Sequence, residues 1–404
     1  MQRNMQRALL VLLLLLLGYT SQAQIINPNP SDTTAFKPSG NLWGLAFGDY
    51  YYKAHTDALN RGGANQYTGI EKGRNAFQFR RIYLGYNYEI SRKFAAELLL
   101  AAEDNVVNQN GVVTGDLLGN NKLGLYIKLA NLRWKNVWRG TDLLVGQVPT
   151  PAFSFVSDPI WGYRSIERTI TDIRRTPSFD MGVELQGRYK TEATAYGYNV
   201  MIGNGTSARP ENDKYKKFSG DVFAKFMDQK LVVDLYADYQ RLNWTSSFHH
   251  SSNMVKGFVG YVTPAVTVGV EAFLNHGKND VIGIRESGAA DTLSANAMGI
   301  STFIKGTVIK DKLGYFARID NYNPDENYDA TQYVRDEGLS GNYEPNNKEQ
   351  LILLGLDYTP AKNVHFMPNI WYNKYKSQRS DVTDAARKDY DLAYRLTFYY
   401  VFGK

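Results

Sequence analysis

The stretch "LAYRLTFYYVF", Leu392–Phe402, alternates two unlike sets of side chains. Leu392, Tyr394, Leu396, Phe398, Tyr400 and Phe402 are all large and greasy. Between them stand Ala393, Arg395, Thr397, Tyr399 and Val401, which include a charge and a hydroxyl. Alternation over this length marks an extended strand whose two faces meet different surroundings. Whether the greasy face lies against a protein core or against lipid decides the fold.

At the other end, Arg3 and Arg7 lead into the unbroken apolar run Ala8–Leu17, followed by small Ser21 and Ala23. A basic start, a short apolar core and a small-residue cut site make residues 1–23 a secretory signal peptide by expectation, with Gln24 opening the mature chain. The alternative is a membrane anchor. Crossing ~30 Å of hydrocarbon takes ~20 apolar residues, and this run is too short. With no cysteine in the chain, a lipid anchor on a new terminal Cys is excluded.

Beyond residue 23 no apolar run is long enough for a membrane helix. Two classes remain, a soluble exported protein or a membrane β-barrel, whose apolar residues are diluted by alternation. The absence of cysteine argues against a small disulfide-stapled fold. Aromatic residues make up 13% of the chain, with 29 Tyr and 19 Phe, which suits the interfacial girdles of a barrel. The net charge of +6 falls further when Arg3 and Arg7 leave, too mild to imply a nucleic-acid partner.

Strand-like segments fall at about 41–53, 77–91, 94–103, 122–135, 141–148, 179–190, 192–203 and 217–228. They continue at 230–243, 252–263, 265–276, 295–309, 312–323, 348–359, 363–376 and 389–402. Tight turns such as Ser91–Lys93, Thr191–Glu192, Asp228–Lys230, Thr263–Ala265, Lys310–Lys312 and Thr359–Asn363 separate some of them. Long polar connections separate the others: His55–Ala76, Asp104–Asn121, Pro149–Ser178, Asn204–Lys216, Lys278–Ser294, Pro324–Asn347 and Ser377–Lys388. Short and long connections alternate, as they do in a membrane barrel with turns on one side and loops on the other. The expected fold is therefore all-β, a transmembrane antiparallel β-barrel of about sixteen strands over residues 24–404. A barrel that wide cannot fill its lumen with wall side chains, so the apolar faces should point out into lipid and the polar faces should line water.

The connection Pro149–Ser178 is long, aromatic and charged, and such loops are uncommon unless functional or disordered. Its charges are Asp158, Arg164, Glu167, Arg168, Asp172, Arg174 and Arg175. Folded into the lumen it would form a constriction, and its arginines would either bias the throat toward anions or staple the loop to the wall. Both readings stand at this point.

Two segments carry a family resemblance. "GQVPTPAFS", "YRSIERTITD" and "SFDMGVELQG" within Gly146–Gly187, and "FQFRRIYLGYNYE" at Phe77–Glu89, resemble the phosphate-selective porin O and P family. The resemblance implies a sixteen-stranded homotrimeric porin of the Gram-negative outer membrane with a basic pore, without a cofactor. It also implies pore roles for Arg80, Arg81, Arg164 and Arg168. Arg80 and Arg81 are adjacent, so both face the lumen only if a bulge re-aims one. The expected inward charges are mixed: Arg81, Glu97, Glu184, Arg188, Lys225, Asp234, Asp238, Glu271, Lys305, Arg318, Asp320 and Arg395. That mixture points to a general or mildly anion-preferring channel for small hydrophilic solutes.

Other chemistry is weaker. His55, His249, His250, His276 and His365 are scattered, and only the pair in "SSFHHSSN" adjoins, read here as a solvated loop rather than a metal site. Acid-rich Pro324–Asn347 lacks the EF-hand spacing and reads as a solvated loop rather than a Ca²⁺ site. No G-x-S-x-G appears, so an outer-membrane hydrolase has no motif behind it and no enzyme is expected. A closed barrel that serves as an adhesin or structural partner remains the alternative.

Overall fold

In a computed structural model of the chain, Tyr394 and Leu396 are 48% and 44% exposed, while Arg395 between them is 4% exposed and Thr397 is fully buried. Charge is inside and grease is outside, the reverse of a soluble protein. The structure describes residues 36–61, 65–103, 106–107, 113–114, 123–174, 176–211, 213–243, 249–284, 290–329, 347–378 and 382–403.

Sixteen antiparallel strands close into one barrel. They are β1 Ser39–His55, β2 Asn75–Glu89, β3 Phe94–Glu103, β4 Tyr126–Trp138, β5 Thr141–Pro149, β6 Phe179–Lys190, β7 Ala195–Gly203 and β8 Lys217–Phe226. The second half is β9 Leu231–Asn243, β10 His249–Val262, β11 Val266–Ile284, β12 Ala290–Ile309, β13 Leu313–Asn323, β14 Asn347–Ala361, β15 Val364–Ser377 and β16 Tyr390–Phe402. Single-turn helices α1 (Ser157–Trp161), α2 (Ile170–Arg174) and α3 (Asp384–Arg387) lie in the long connections. Each strand pairs with its neighbours in sequence, and β1 pairs with β16, so every ladder is satisfied and no edge is left open. At that seam Gly44 and Gly48 face Phe402 and Phe398 across the register, and each ring occupies the space that a Cβ on the glycine would need.

The sixteen expected strands correspond one to one with those observed. The largest difference in length is at β11 and β12, which run for 19 and 20 residues. Lys278–Ser294 was expected to be loop because it is polar. A membrane span needs only ~9–11 residues, and a polar ribbon beyond it still satisfies its backbone through the ladder. His249 and His250 likewise open β10, paired with Asn243 and Leu242, rather than lying in a loop.

A second difference concerns the connection after β1. Expected to be an outer polar loop, it bends inward at residues 65–70. Tyr67 is fully buried there, 5.5 Å from the Tyr51 ring and 5.4 Å from the Trp371 ring. Lys53 of the wall donates to the Tyr67 carbonyl at 2.5 Å and pairs with Asp391 at 2.5 Å.

Candidate functional site

The chain leaves β5 at Pro149, opposite Phe179 of β6, and folds into the lumen before it returns. Trp161, at the end of α1, anchors it. Its ring packs 5.0 Å from Phe303 of β12 and 6.2 Å from Phe316 of β13, with the Arg318 guanidinium 5.2 Å away. Its indole N–H donates to the Glu167 carbonyl at 2.8 Å. Gly162 then turns the chain in the left-handed region, at φ +69. A Cβ there would come within 2.8 Å of the Lys305 ammonium. The turn lets Tyr163 pack 4.6 Å from Phe316 and donate its hydroxyl to Asp357 at 3.2 Å.

The next residues, 165–168, have no regular structure, so their carbonyls need donors from elsewhere. Trp161 supplies that of Glu167, and three wall arginines supply the others. Arg80 donates to the carbonyls of Ser165 at 2.9 Å and Ile166 at 3.1 Å. Arg395 donates to Ile166 at 3.2 Å, and Arg318 to Arg168 at 2.6 Å. Farther along, Glu271 of β11 accepts both the amide (3.1 Å) and the hydroxyl (2.6 Å) of Thr171.

The sequence-derived residues divide accordingly. A register shift between β1 and β2 places Phe47 opposite Arg81 and Gly48 opposite Phe79, so Arg80 is the bulged residue. Both arginines are therefore buried on the lumen side. Arg80 lies 3.6 Å from Asp49, and Arg81 lies 3.7 Å from Glu103 and donates to the Tyr83 hydroxyl. Arg164 pairs with two acids of its own loop, Asp158 at 3.1 Å and Asp172 at 2.5 Å. Burial opposes its charge, but these two carboxylates outweigh burial and raise its pKa above the ordinary value. Arg81 and Tyr83 of the wall lie within electrostatic range of it. Arg174 joins the loop to Glu349 of β14 at 2.7 Å, which likewise overcomes the burial that disfavours its charge. Glu167 is buried, accepts the Trp371 indole N–H at 3.3 Å and lies 4.0 Å from the Arg168 guanidinium. Arg175 lies outside the described residues.

Several lumen groups were missed. Lys53 and Lys256 sit on inward parity, and Lys256 pairs with Asp234 at 2.8 Å. Lys128, which pairs with Glu103, is the extra residue at a bulge opposite Leu99 and Leu100. Counting along the strands would have found Lys53 and Lys256 but not Lys128. Nothing in the sequence marked Tyr67, because its burial depends on a loop bending inward. Among the described residues no group of three or more His, Cys, Asp or Glu is arranged to hold a metal ion.

Near the short turns β4–β5 and β6–β7 a cavity of about 380 Å³ remains open in the barrel. Phe155 of the inserted loop, Phe223 of β8, and Arg188, Lys190 and Lys225 are among its lining residues.

No family model and no curated protein sequence matches this chain. Its structure, however, matches many that have been solved. The outer-membrane channel DcaP of Acinetobacter baumannii aligns with a TM-score of 0.57 at 13% identity, over 90% of this chain and 97% of its own. OmpF of Salmonella typhi, solved with daunomycin, aligns at 0.53 and 11%, over 90% and 97%. An in-vitro folded OmpT of Vibrio cholerae, in trimer form, aligns at 0.50 and 12%, over 91% and 100%. This chain has the fold of outer-membrane porins. The resemblance to the O and P family rests on the two quoted segments alone.

Proposed function

We propose that the chain is a porin of a Gram-negative outer membrane, a water-filled channel through which small hydrophilic solutes diffuse passively. In this reading residues 1–23 are a cleaved signal peptide and residues 24–404 the barrel, with its outward face against lipid. The observation that carries the reading is the inverted polarity of the wall together with a charged loop held inside it. The loop narrows the lumen, and Arg81, Arg164, Arg168 and the acids beside them border the throat. Asp158, Asp172 and Glu349 more than offset Arg164 and Arg174, three carboxylates against two guanidiniums, so this group adds no anion bias. A mild anion preference, for phosphate or an organic anion, is proposed from Lys190 and Lys225, which form no ion pair among the described residues, and the paired arginines of the O and P resemblance support the same sign. A homotrimer is proposed by analogy with the trimer form of OmpT.

One observation favours a second reading. Two connections are inserted into the lumen, and much of the wall behind them is fully buried, which suits a closed barrel acting as an adhesin or structural partner. Planar bilayers separate the two. Purified folded protein is expected to give discrete conductance steps and, in a KCl gradient, a reversal potential on the anion side. A silent membrane would remove the channel reading and favour the closed barrel.

A further inference from the structure

Phe155 and Phe223 flank one guanidinium. Their ring centroids lie 5.5 and 5.0 Å from the Arg188 Cζ, one ring from the inserted loop and the other from the wall. Arg188 donates to the carbonyls of Gly187 at 2.8 Å and Tyr198 at 3.0 Å and to the Asn199 side chain at 2.6 Å. All three acceptors are neutral and orient the charge; the carboxylates of Asp221, Glu184 and Asp142 act on it only through space, without a hydrogen bond to it. Lys190 and Lys225, on the same inward parity, form no ion pair among the described residues. The acid in this lining, Asp142, is already held by Arg133 at 2.9 Å and by the Asn136 amide at 2.9 Å. The basin thus carries surplus positive charge beside two aromatic faces.

We propose that this basin is a binding subsite for small organic anions that carry a carboxylate or sulfonate on an aromatic ring. The inference deepens the channel reading and rests on it, since the basin lies in the lumen. An inorganic anion would be served by the cations but gains nothing from displacing water at two phenyl rings. A neutral aromatic solute would leave the cations unused, and a cationic one would be repelled. A ring-bearing anion satisfies both parts: its ring removes apolar area from water beside Phe155 and Phe223, and its acid group takes a charge-assisted hydrogen bond. The cavity of about 380 Å³ falls at the lower end of the ~300–1,000 Å³ typical of small-molecule sites. Phe155 comes from the constriction loop, so the same segment that narrows the pore completes the subsite.

Calorimetric titration of the purified, folded full barrel with benzoate, acetate and inorganic phosphate tests this. Benzoate is expected to bind on the order of tenfold more tightly than either of the others. Arg188→Gln should weaken benzoate on the order of tenfold, as loss of a charged partner does. Phe155→Ser should cut the preference over acetate, because one of the two apolar faces beside the cations is lost. Lys312→Gln, in a turn at the same mouth of the barrel, should change neither. Equal binding of the three anions by the unaltered protein would overturn the proposal without recourse to any variant. So would an equal loss in Lys312→Gln, because the effect would then be a general field. Bilayer recordings keep the two readings apart. Benzoate binding without conductance supports the subsite and removes the channel, whereas conductance without benzoate preference does the reverse.

Discussion

Arg80 and Arg81 are neighbours in the chain, yet both lie on the lumen side, because the bulge opposite Phe47 and Gly48 re-aims one of them. Alternation can place every regular strand residue on a face, but a bulge adds one position and breaks the count. The requirement was legible in the sequence; the location was not. For the loop arginines the pattern supplied only the charges. Their partners depend on how the loop folds, and Arg164 lies between Asp158 and Asp172. Arg164→Ala should leave those two carboxylates uncompensated and move the reversal potential in a KCl gradient toward cations. An unmoved potential would mean that the trio lies off the ion path and serves to hold the loop in shape.

At the scale of elements, turns and strands were readable and inserted connections were only partly so. Pro149–Ser178 declared itself by length and aromatic content. Residues 65–70 did not, because their inward position is set by Tyr51 on the preceding strand and by Trp371 and Glu349 on strands far away in sequence. The inserted loop is held by one large anchor, Trp161, and by the carbonyl contacts of Arg80, Arg318 and Arg395. Trp161→Ala should cost about 3–5 kcal/mol locally. Since the barrel ladders do not involve this residue, the wall should stay closed while the loop loosens. Single-channel records should show higher conductance and more open-channel noise than the unaltered protein. Unchanged records would place the ion path away from this loop.

For the whole molecule, the governing fact is that the apolar side faces out and the charged side faces in. Leu396 sits near the middle of β16 with its side chain outward, so Leu396→Arg should destabilise the barrel in lipid by about 2–4 kcal/mol. Urea unfolding in phosphatidylcholine vesicles would measure it. A negligible effect would mean that this face is covered by protein instead of lipid. The fold class, strand number and alternation of turns and loops were all present in the sequence, because a period-two pattern is local and survives without knowledge of neighbours. The register in which β1 closes on β16, the bulge at Arg80, the paired state of Arg164 and Arg174, and the gathering of Phe155, Arg188 and Phe223 were decided only by the tertiary structure. Each brings together residues from distant strands, and no period along one chain encodes which strand will stand opposite.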